Sequence, residues 1–297
     1  GGSGTLGHAI VSTAVAEAWD CSFTIYSRSE HRQAQMRAKY PQFRYVLGDV
    51  RDYDRLAAAV AGHDLVIHAA ALKHIELGDE QPDECFGINC QGSANIIRAC
   101  IAHGIRRCIA ISTDKAARSV TGYGASKLIM EKLFQAAPTD PTVFTITRYG
   151  NVIASNGSVV NVWRQMLERD GFVTATDPDM TRFWLTTAQA VKLIELTADQ
   201  PPNTIVIPRL PSLSMRAMAQ YMLPDADFHY TGMRTNEKRH EDLLAPEEAR
   251  AAELDSDTRA PWGFYRLWPG ARPDTGLHEG YSSAAPQHTL TRAELTE

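Results

Sequence analysis

The chain opens on GGSGTLGHAIVSTAVAEAW, where Gly1, Gly4 and Gly7 recur at three-residue spacing and run straight into an alanine-rich helical pattern. A loop of this kind lets backbone approach a ligand closely and leads to a helix N-terminus, whose amides and dipole suit a pyrophosphate. The first half then alternates. Strand patterns at residues 21–27, in FRYVLGDV up to residue 50, at 64–70 as a buried run, in RRCIAIS and in TVFTITR are separated by helical patterns at 28–39, 53–61 and 82–103 and by a helix carrying Lys127 to about residue 135. Strands alternating with helices argue for an α/β chain with a Rossmann-type doubly wound parallel sheet.

The pattern is regular to about residue 150, and afterwards Pro201, Pro202, Pro208, Pro211, Pro224 and Pro246 cut the chain into short elements. Residues 1–150 with about 180–207 are therefore expected to form the dinucleotide-binding domain, and about 151–179 with 208–297 a smaller C-terminal substrate domain. The tail after residue 260 reads as loop wrapped over the body, with a last helical turn near residue 294. No strand precedes the glycine loop. In a doubly wound sheet that strand is central and aims the loop, so the chain is expected to be a trimmed form of the natural protein, and without it two strand edges would be exposed.

Composition excludes several classes of function. Hydrophobic residues make up 44% and charged residues 22% of 297, as in an ordinary globular protein. A net charge of −5 gives no basic face for nucleic acid or anionic membrane. No apolar run approaches the roughly 18 residues of a membrane span. Cys21, Cys85, Cys90, Cys100 and Cys108 are odd in number and lack CxxC spacing. They read as buried free thiols in a reducing cytoplasm, with no metal site and no disulfide frame.

The strand after the glycine loop ends at Ser27-Arg28, where an acidic residue would take the ribose of NAD. Arg28 stands there instead, with Arg32 one turn on, and guanidinium suits a 2′-phosphate, so the expected cofactor is NADP. Asp49, in GDV, can accept from an adenine amino group. The expected cofactor-binding set is Gly1, Ser3, Gly4, Thr5, Leu6, Gly7, Ser27, Arg28, Arg32, Asp49, Val50, Ala69, Ala70 and Ala71, with Tyr123 and Lys127.

STDKAARSVTGYGASK, residues 112–127, carries the chemistry. A free tyrosine, with a pKa of about 10, does not accept a proton at pH 7. An ammonium one helical turn away favours phenolate, so Tyr123 and Lys127 form a unit that can take a proton from an alcohol as hydride leaves carbon. Thr113 lies at a strand end, where sites of such sheets collect, and its hydroxyl can orient the same alcohol.

GGSGTLG, YSR, GDVRD, HAAALKH, STDKAA and YGASK together resemble the extended short-chain dehydrogenase/reductases. More narrowly, RYGNV (residues 148–152), GSVV, MTRFW (180–184), IPRLPSLSM, GMRTNEKRHE (232–241) and YSS near Tyr281 make the chain similar to the 5-inverting UDP-N-acetylglucosamine 4,6-dehydratases and their capsule-synthesis relatives. The resemblance implies the following roles. Tyr123, helped by Lys127, removes the C4 hydroxyl proton as hydride passes to NADP. Lys115 is the base at C5, and Asp114 the acid that protonates the departing C6 hydroxyl. A neutral Lys115 at pH 7 costs roughly 4–5 kcal/mol, which burial, Lys127 and a positive nicotinamide would offset. Lys73 and Asn151 face the substrate, Arg182 and Arg234 the UDP diphosphate, Glu237 the ribose or uracil, and Arg209 and Met215 the uridine side. The partner is a sugar nucleotide, UDP-GlcNAc first, and the chain is expected to form a homo-oligomer. Arg118-Ser119 replaces the usual Asn-Pro, and TNEK the usual PGEK, which leaves the sugar and nucleotide open. A sugar-nucleotide 4-epimerase, a retaining dehydratase and a catalytically dead NADP-binding sensor are the competing readings.

Overall fold

The first half builds strands β1 (Thr24–Ser27), β2 (Arg44–Leu47), β3 (Leu65–His68), β4 (Arg107–Thr113) and β5 (Val143–Tyr149). Between them run helices α1 (Thr5–Ala16), α2 (Glu30–Lys39), α3 (Tyr53–Val60), α4 (Ile75–Glu80), α5 (Pro82–Phe86), α6 (Gly92–Ala102) and α7 (Gly122–Gln135). The second half adds β6 (Asn151–Val152), β7 (Val173–Ala175), β8 (Thr181–Leu185), β9 (Ile205–Pro208), β10 (Ser212–Ser214), β11 (Phe228–Tyr230), β12 (Asp242–Leu244), β13 (Ala252–Asp255), β14 (Phe264–Leu267) and β15 (Tyr281–Ser282). Its helices are α8 (Val159–Asp170), α9 (Thr187–Ala198), α10 (Met215–Met222) and α11 (Pro246–Ala249). This computed structural model describes residues 1–153, 158–255, 257, 259, 262–269, 277, 279–286 and 288–291.

Among the described residues the main sheet has the order β13-β14-β9-β5-β4-β3, with β3, β4, β5 and β9 parallel, β14 antiparallel to β9, and β13 antiparallel to β14. The parallel centre is apolar on both faces because helices cover both sides; Ile109, Phe144, Ile146, Ile205 and Ile207 are fully buried. β1 and β2 pair in parallel as a separate ribbon. In the slot between β1 and β3 lie Gly1 and Gly2; the Gly1 nitrogen and the Gly2 amide each donate to the Tyr26 carbonyl at 3.1 Å. The apolar run of β3 suggests a buried strand, yet Leu65 is 42% exposed, because among the described residues no strand pairs with β3 on that side.

The long helix expected over 82–103 is divided by a π-turn at Gly87–Gln91. The extra residue turns Asn89 inward. Its side chain accepts from Leu72 N at 2.8 Å and donates to Leu72 O at 3.0 Å and Ser126 Oγ at 2.8 Å, so it serves as a strand-like partner for the loop after β3. Such bulges gather at functional sites. The tail departs from the reading as loop: β14 joins the main sheet between β9 and β13, so this part of the second half extends the first. The helical turn expected near residue 294 lies outside the described residues. A separate apolar core forms where Trp163 and Val160 of α8 meet Val173, Trp184, Leu213 and Met218.

Arg148 of β5 joins the halves. It is wholly buried and bidentate to Glu131 of α7 at 2.9 and 2.6 Å and to Glu248 of α11 at 2.7 and 2.8 Å, and it donates to Leu243 O at 3.0 Å. The thiols are free, and four are buried; Cys21 is exposed, against the reading that all are buried.

Candidate active site

β4 delivers Thr113 to the carboxyl edge of the sheet, and a single 3₁₀ turn, Asp114–Ala116, follows. The Thr113 hydroxyl starts that turn by accepting from Lys115 N at 3.4 Å. α7 begins at Thr121, whose side chain caps it by accepting from Gly124 N at 3.0 Å. The helix and the turn press together: a Cβ on Gly124 would lie 2.3 Å from Lys115 O. Close packing therefore brings Tyr123, in the first turn of α7, into the same cavity wall as Thr113 and Lys115.

Thr113, Lys115, Tyr123, Lys127 and Asn151 line one cavity of about 530 Å³. The same cavity is lined by Gly1, Ser3, Gly4, Thr5, Leu6, Ser27, Arg28, Arg32, Val50, Ala69, Ala70 and Ala71. Two residues expected there lie outside its wall. Gly7 is a packing glycine, since a Cβ would sit 1.9 Å from Gly2 O. The Asp49 carboxylate is engaged by Arg51, at 2.8 Å to Nη2, with Arg28 Nη1 at 3.7 Å, and these cations hold it below the usual carboxylate range against its partial burial. Lys73, expected on the substrate side, shares a second cleft of about 360 Å³ with Arg28 and Arg32, and burial followed by the charge of Arg32 lowers its pKa.

A dinucleotide fits the first part of this wall. A Cβ on Gly1 would meet Ala69 O at 2.3 Å, so only glycine keeps the loop closed over the strand ends. Gly4 leads into α1 with no side-chain cap, which leaves the helix dipole open to an anion. Ser3 and Ser27 hydroxyls lie 2.8 Å apart beneath it.

The ionisations differ from those expected. Lys127 donates to Ile111 O at 2.5 Å and to Met130 Sδ at 2.9 Å, and burial lowers its pKa to about 8 against the charge of Glu131. Burial raises Tyr123 to about 12, opposed chiefly by the charge of Lys115 and by the neighbouring Thr113 hydroxyl. Lys115 is 16% exposed and donates to Asp114 Oδ1 at 3.0 Å and Asn151 Oδ1 at 3.3 Å. Burial lowers its pKa, but the carboxylates of Asp114 and Glu241 outweigh burial and hold it above the usual value. The resting side chain is therefore an ammonium, contrary to the expected neutral amine. Asp114 is wholly buried behind the wall: Thr113 Oγ1 donates to its Oδ1 at 2.9 Å, and its Oδ2 has no partner among the described residues.

Of the residues assigned to substrate, Lys73 and Asn151 line this first cavity with the acid–base pair. Arg182 points at backbone, donating to Thr181 O at 2.8 Å and to Arg239 O and Lys238 O at 3.1 Å each. Arg234 pairs with Glu76 on α4 and is 60% exposed, and Glu237 accepts from Arg234 N at 2.9 Å. Arg209 donates its backbone amide to Gly263 O at 3.1 Å at the far side of β9, and Met215 packs in the second apolar core. None of these five lines the cavity. The residue overlooked is Glu241, a buried carboxylate 3.8 Å from Lys115 Nζ. It closes the GMRTNEKRHE segment, but nothing in its spacing signals that this segment folds back on the 114–116 turn.

Comparison with known proteins fixes the relationship. The family model described as polysaccharide biosynthesis protein matches residues 1–260. The chain belongs to that family. A relative in it, UDP-N-acetylglucosamine 4,6-dehydratase (inverting) of Campylobacter jejuni serotype O:2, is 37% identical over 257 residues, covering 84% of this chain and 77% of its own. UDP-glucose 4-epimerase of Rickettsia bellii is 33% identical over 319 residues, covering 100% and 92%. The X-ray structure of Pen from Bacillus thuringiensis superposes with a TM-score of 0.89 at 29% identity, over 99% of this chain and 93% of that one. The Rossmann-like sheet read from the alternating pattern is thus the fold of this polysaccharide biosynthesis protein. Among the described residues no helix is long and apolar enough to cross a membrane, and no cluster of side chains could hold a metal ion.

Proposed function

We propose that this chain is a sugar-nucleotide 4,6-dehydratase that inverts C5, acts on UDP-N-acetylglucosamine or a close relative, and uses NADP. The observation that carries the reading is Lys115, set beside Tyr123 and Thr113 in the wall of the cavity that begins at the glycine loop and hydrogen-bonded to Asp114 behind that wall. A 4-epimerase, the name carried by the Rickettsia relatives, moves hydride at C4 and has no use for a second acid–base pair. Gly1, Gly4 and the start of α1 would hold the pyrophosphate, and Arg28 and Arg32, with Lys73 beside them, a 2′-phosphate. When bound, NADP would accept hydride from C4 and return it at C6.

The chain's own groups manage the protons. Tyr123 Oη, once it has lost its own proton to solvent as the phenolate that a positive nicotinamide would favour, takes the C4 hydroxyl proton. The resulting C4 ketone acidifies C5. Lys115 Nζ passes its proton to Asp114 Oδ1 across their 3.0 Å bond, which leaves a neutral amine facing the sugar and a neutral acid behind it. That amine takes the C5 proton. Asp114 does not line the cavity, so its proton travels through Thr113 Oγ1, 2.9 Å away, to the departing C6 hydroxyl, which leaves as water. Lys115 ends as an ammonium and Asp114 as a carboxylate, as they began. A proton from solvent water then returns to C5 on the opposite face, and Tyr123 releases the C4 proton to solvent, which restores the phenolate. In this way the resting ion pair becomes the base and acid that elimination needs without importing charge into a dry site.

A homo-oligomer and a cytoplasmic setting belong to the same proposal. Phe86 and Ile129, 56% and 43% exposed on the adjoining helices α5 and α7, support a second copy docking there. Free thiols throughout support a reducing compartment.

The test is incubation with UDP-GlcNAc and NADP in heavy water, followed by NMR. The expected product is a 4-keto-6-deoxy sugar with deuterium at inverted C5 and the C4 hydrogen retained at C6. A C4 epimer with no loss of water would assign the chain to the epimerases instead.

A further inference from the structure

Glu241 sits at the entrance to β12, held on both sides of its backbone: its amide donates to Ser283 Oγ at 2.9 Å, and Ser283 N donates to its carbonyl at 2.8 Å. Its carboxylate is buried and faces three cations. Lys115 Nζ lies 3.8 Å from Oε1, Arg182 Nε 4.0 Å from Oε1, and Lys238 Nζ 3.2 Å from Oε2. Lys238 also donates to Ala117 O at 2.9 Å, which ties the 238–241 segment to the end of the 114–116 turn. An ammonium has three protons to place. Around Lys115 Nζ the oxygens are Asp114 Oδ1, Asn151 Oδ1 and, at the longest distance, Glu241 Oε1.

We propose that Glu241 is a positioning residue for Lys115: its carboxylate, fixed on the β12 backbone, completes the ammonium's ring of oxygens and keeps Lys115 charged with the proton that leaves as water. This rests on the reading of Lys115 given above. The charged and titratable groups facing Lys115 are Asp114 on its own turn, Tyr123 on α7, Arg182 on β8 and Glu241 before β12. His240 turns the other way, with Nδ1 2.8 Å from Thr181 Oγ1. Glu241 is therefore the carboxylate that acts on Lys115 from outside its own turn, and it shares that charge with Arg182 and Lys238.

The experiment is the pH dependence of kcat/KM for dehydration in Glu241→Gln, Glu241→Asp and Lys238→Met, with Lys115→Met as the control on the reading itself. Activity should fall at high pH as Lys115 loses its proton. Removing the Glu241 charge moves that alkaline limb down by about one pH unit, since an opposite charge at this range shifts a neighbour by about that much or more. Glu241→Asp restores the limb toward wild type. Lys238→Met, which frees Glu241 from a competing cation, moves it up. If Glu241→Gln does not fold, the upward shift in Lys238→Met and the position of the limb in Glu241→Asp decide the matter. A uniform loss of kcat with all limbs in place overturns the proposal and leaves Glu241 a packing residue. A Lys115→Met enzyme that still dehydrates overturns the underlying reading, independently of Glu241.

Discussion

Lys115 Nζ lies 3.0 Å from Asp114 Oδ1, while the other oxygen of that wholly buried carboxylate meets no donor among the described residues. A buried acceptor left unmet is costly and is tolerated where it has work in the reaction. Asp114→Asn keeps the shape but cannot receive the Lys115 proton. Dehydration should fall by about 10²–10⁴-fold, the usual size of a general acid–base contribution, with nucleotide binding retained. Product formation by NMR and titration calorimetry with UDP measure the two effects. Equal losses in both would point to a collapsed site.

The buried Lys127 makes a prediction about stability. Its folded pKa is about 8 against 10.5 for an unperturbed lysine, so between these values the unfolded chain binds more protons than the folded one. The contribution of Lys127 to stability therefore rises as pH climbs from about 8 toward 10.5. Urea unfolding of wild type and Lys127→Met across that window checks the sign: wild type should gain on the variant as pH rises. In a titration carried to higher pH, Tyr123 should ionise at about 12, and ultraviolet phenolate absorbance against Tyr123→Phe isolates it.

These ionisations show what the sequence could carry. The glycine loop, the alternating elements and the Thr113, Lys115, Tyr123 and Lys127 positions were legible because each depends on local spacing that a strand end or a helical turn preserves. The charge state of Lys115 was not, because it is settled by burial set against two carboxylates, that of Asp114 beside it and that of Glu241, brought in from a distant segment. Arg182 and Arg234 were assigned to phosphate from the resemblance and the guanidinium's shape; in the structure Arg182 donates to carbonyls and Arg234 pairs with Glu76, contacts that spacing does not foretell. Asn89 and its π-turn left no signal in a helical pattern that ran unbroken through them.

Arg148 lies between Glu131 and Glu248 with no exposure of its own. Glu131→Ala would strand a buried guanidinium on its inner side, and breaking such a pair costs about 3–5 kcal/mol. Glu248 is part exposed, so water can replace it, and Glu248→Ala should cost less. Denaturant unfolding of the two variants gives the order. A larger loss for Glu248 would show that docking α11 matters more than neutralising Arg148.

Arg28 and Arg32 bear on the cofactor. Both line the cavity, and Lys73 shares their cleft. Charge-assisted contacts to a 2′-phosphate are worth about 1.5–3 kcal/mol each. Arg28→Ala with Arg32→Ala should weaken NADP by about tenfold or more and leave NAD unchanged, read by fluorescence titration of the reduced forms. Parallel weakening of both would place the arginines on the shared part of the dinucleotide.

Gly124 tests whether the site is a packed constellation or a set of independent side chains. Its missing Cβ lets α7 approach the 114–116 turn, since a methyl there would lie 2.3 Å from Lys115 O and 3.0 Å from Ser119 Cβ. The first of these contacts is backbone, so the helix and the turn must separate to admit it. Tyr123 sits one residue before Gly124, and Lys115 belongs to the turn that would move. Gly124→Ala therefore pulls the phenol away from Thr113 and Lys115 together, although no catalytic group is removed. A misplacement of this kind costs about 100-fold in rate. The helix itself should tolerate alanine, because alanine is the better helix former. The expected variant is folded by circular dichroism and binds nucleotide, but it is slow in dehydration and has its Tyr123 ionisation shifted further up as Lys115 recedes. A variant of wild-type rate would mean that the turn and the helix are free to adjust, and that convergence at this point is not what the glycine secures.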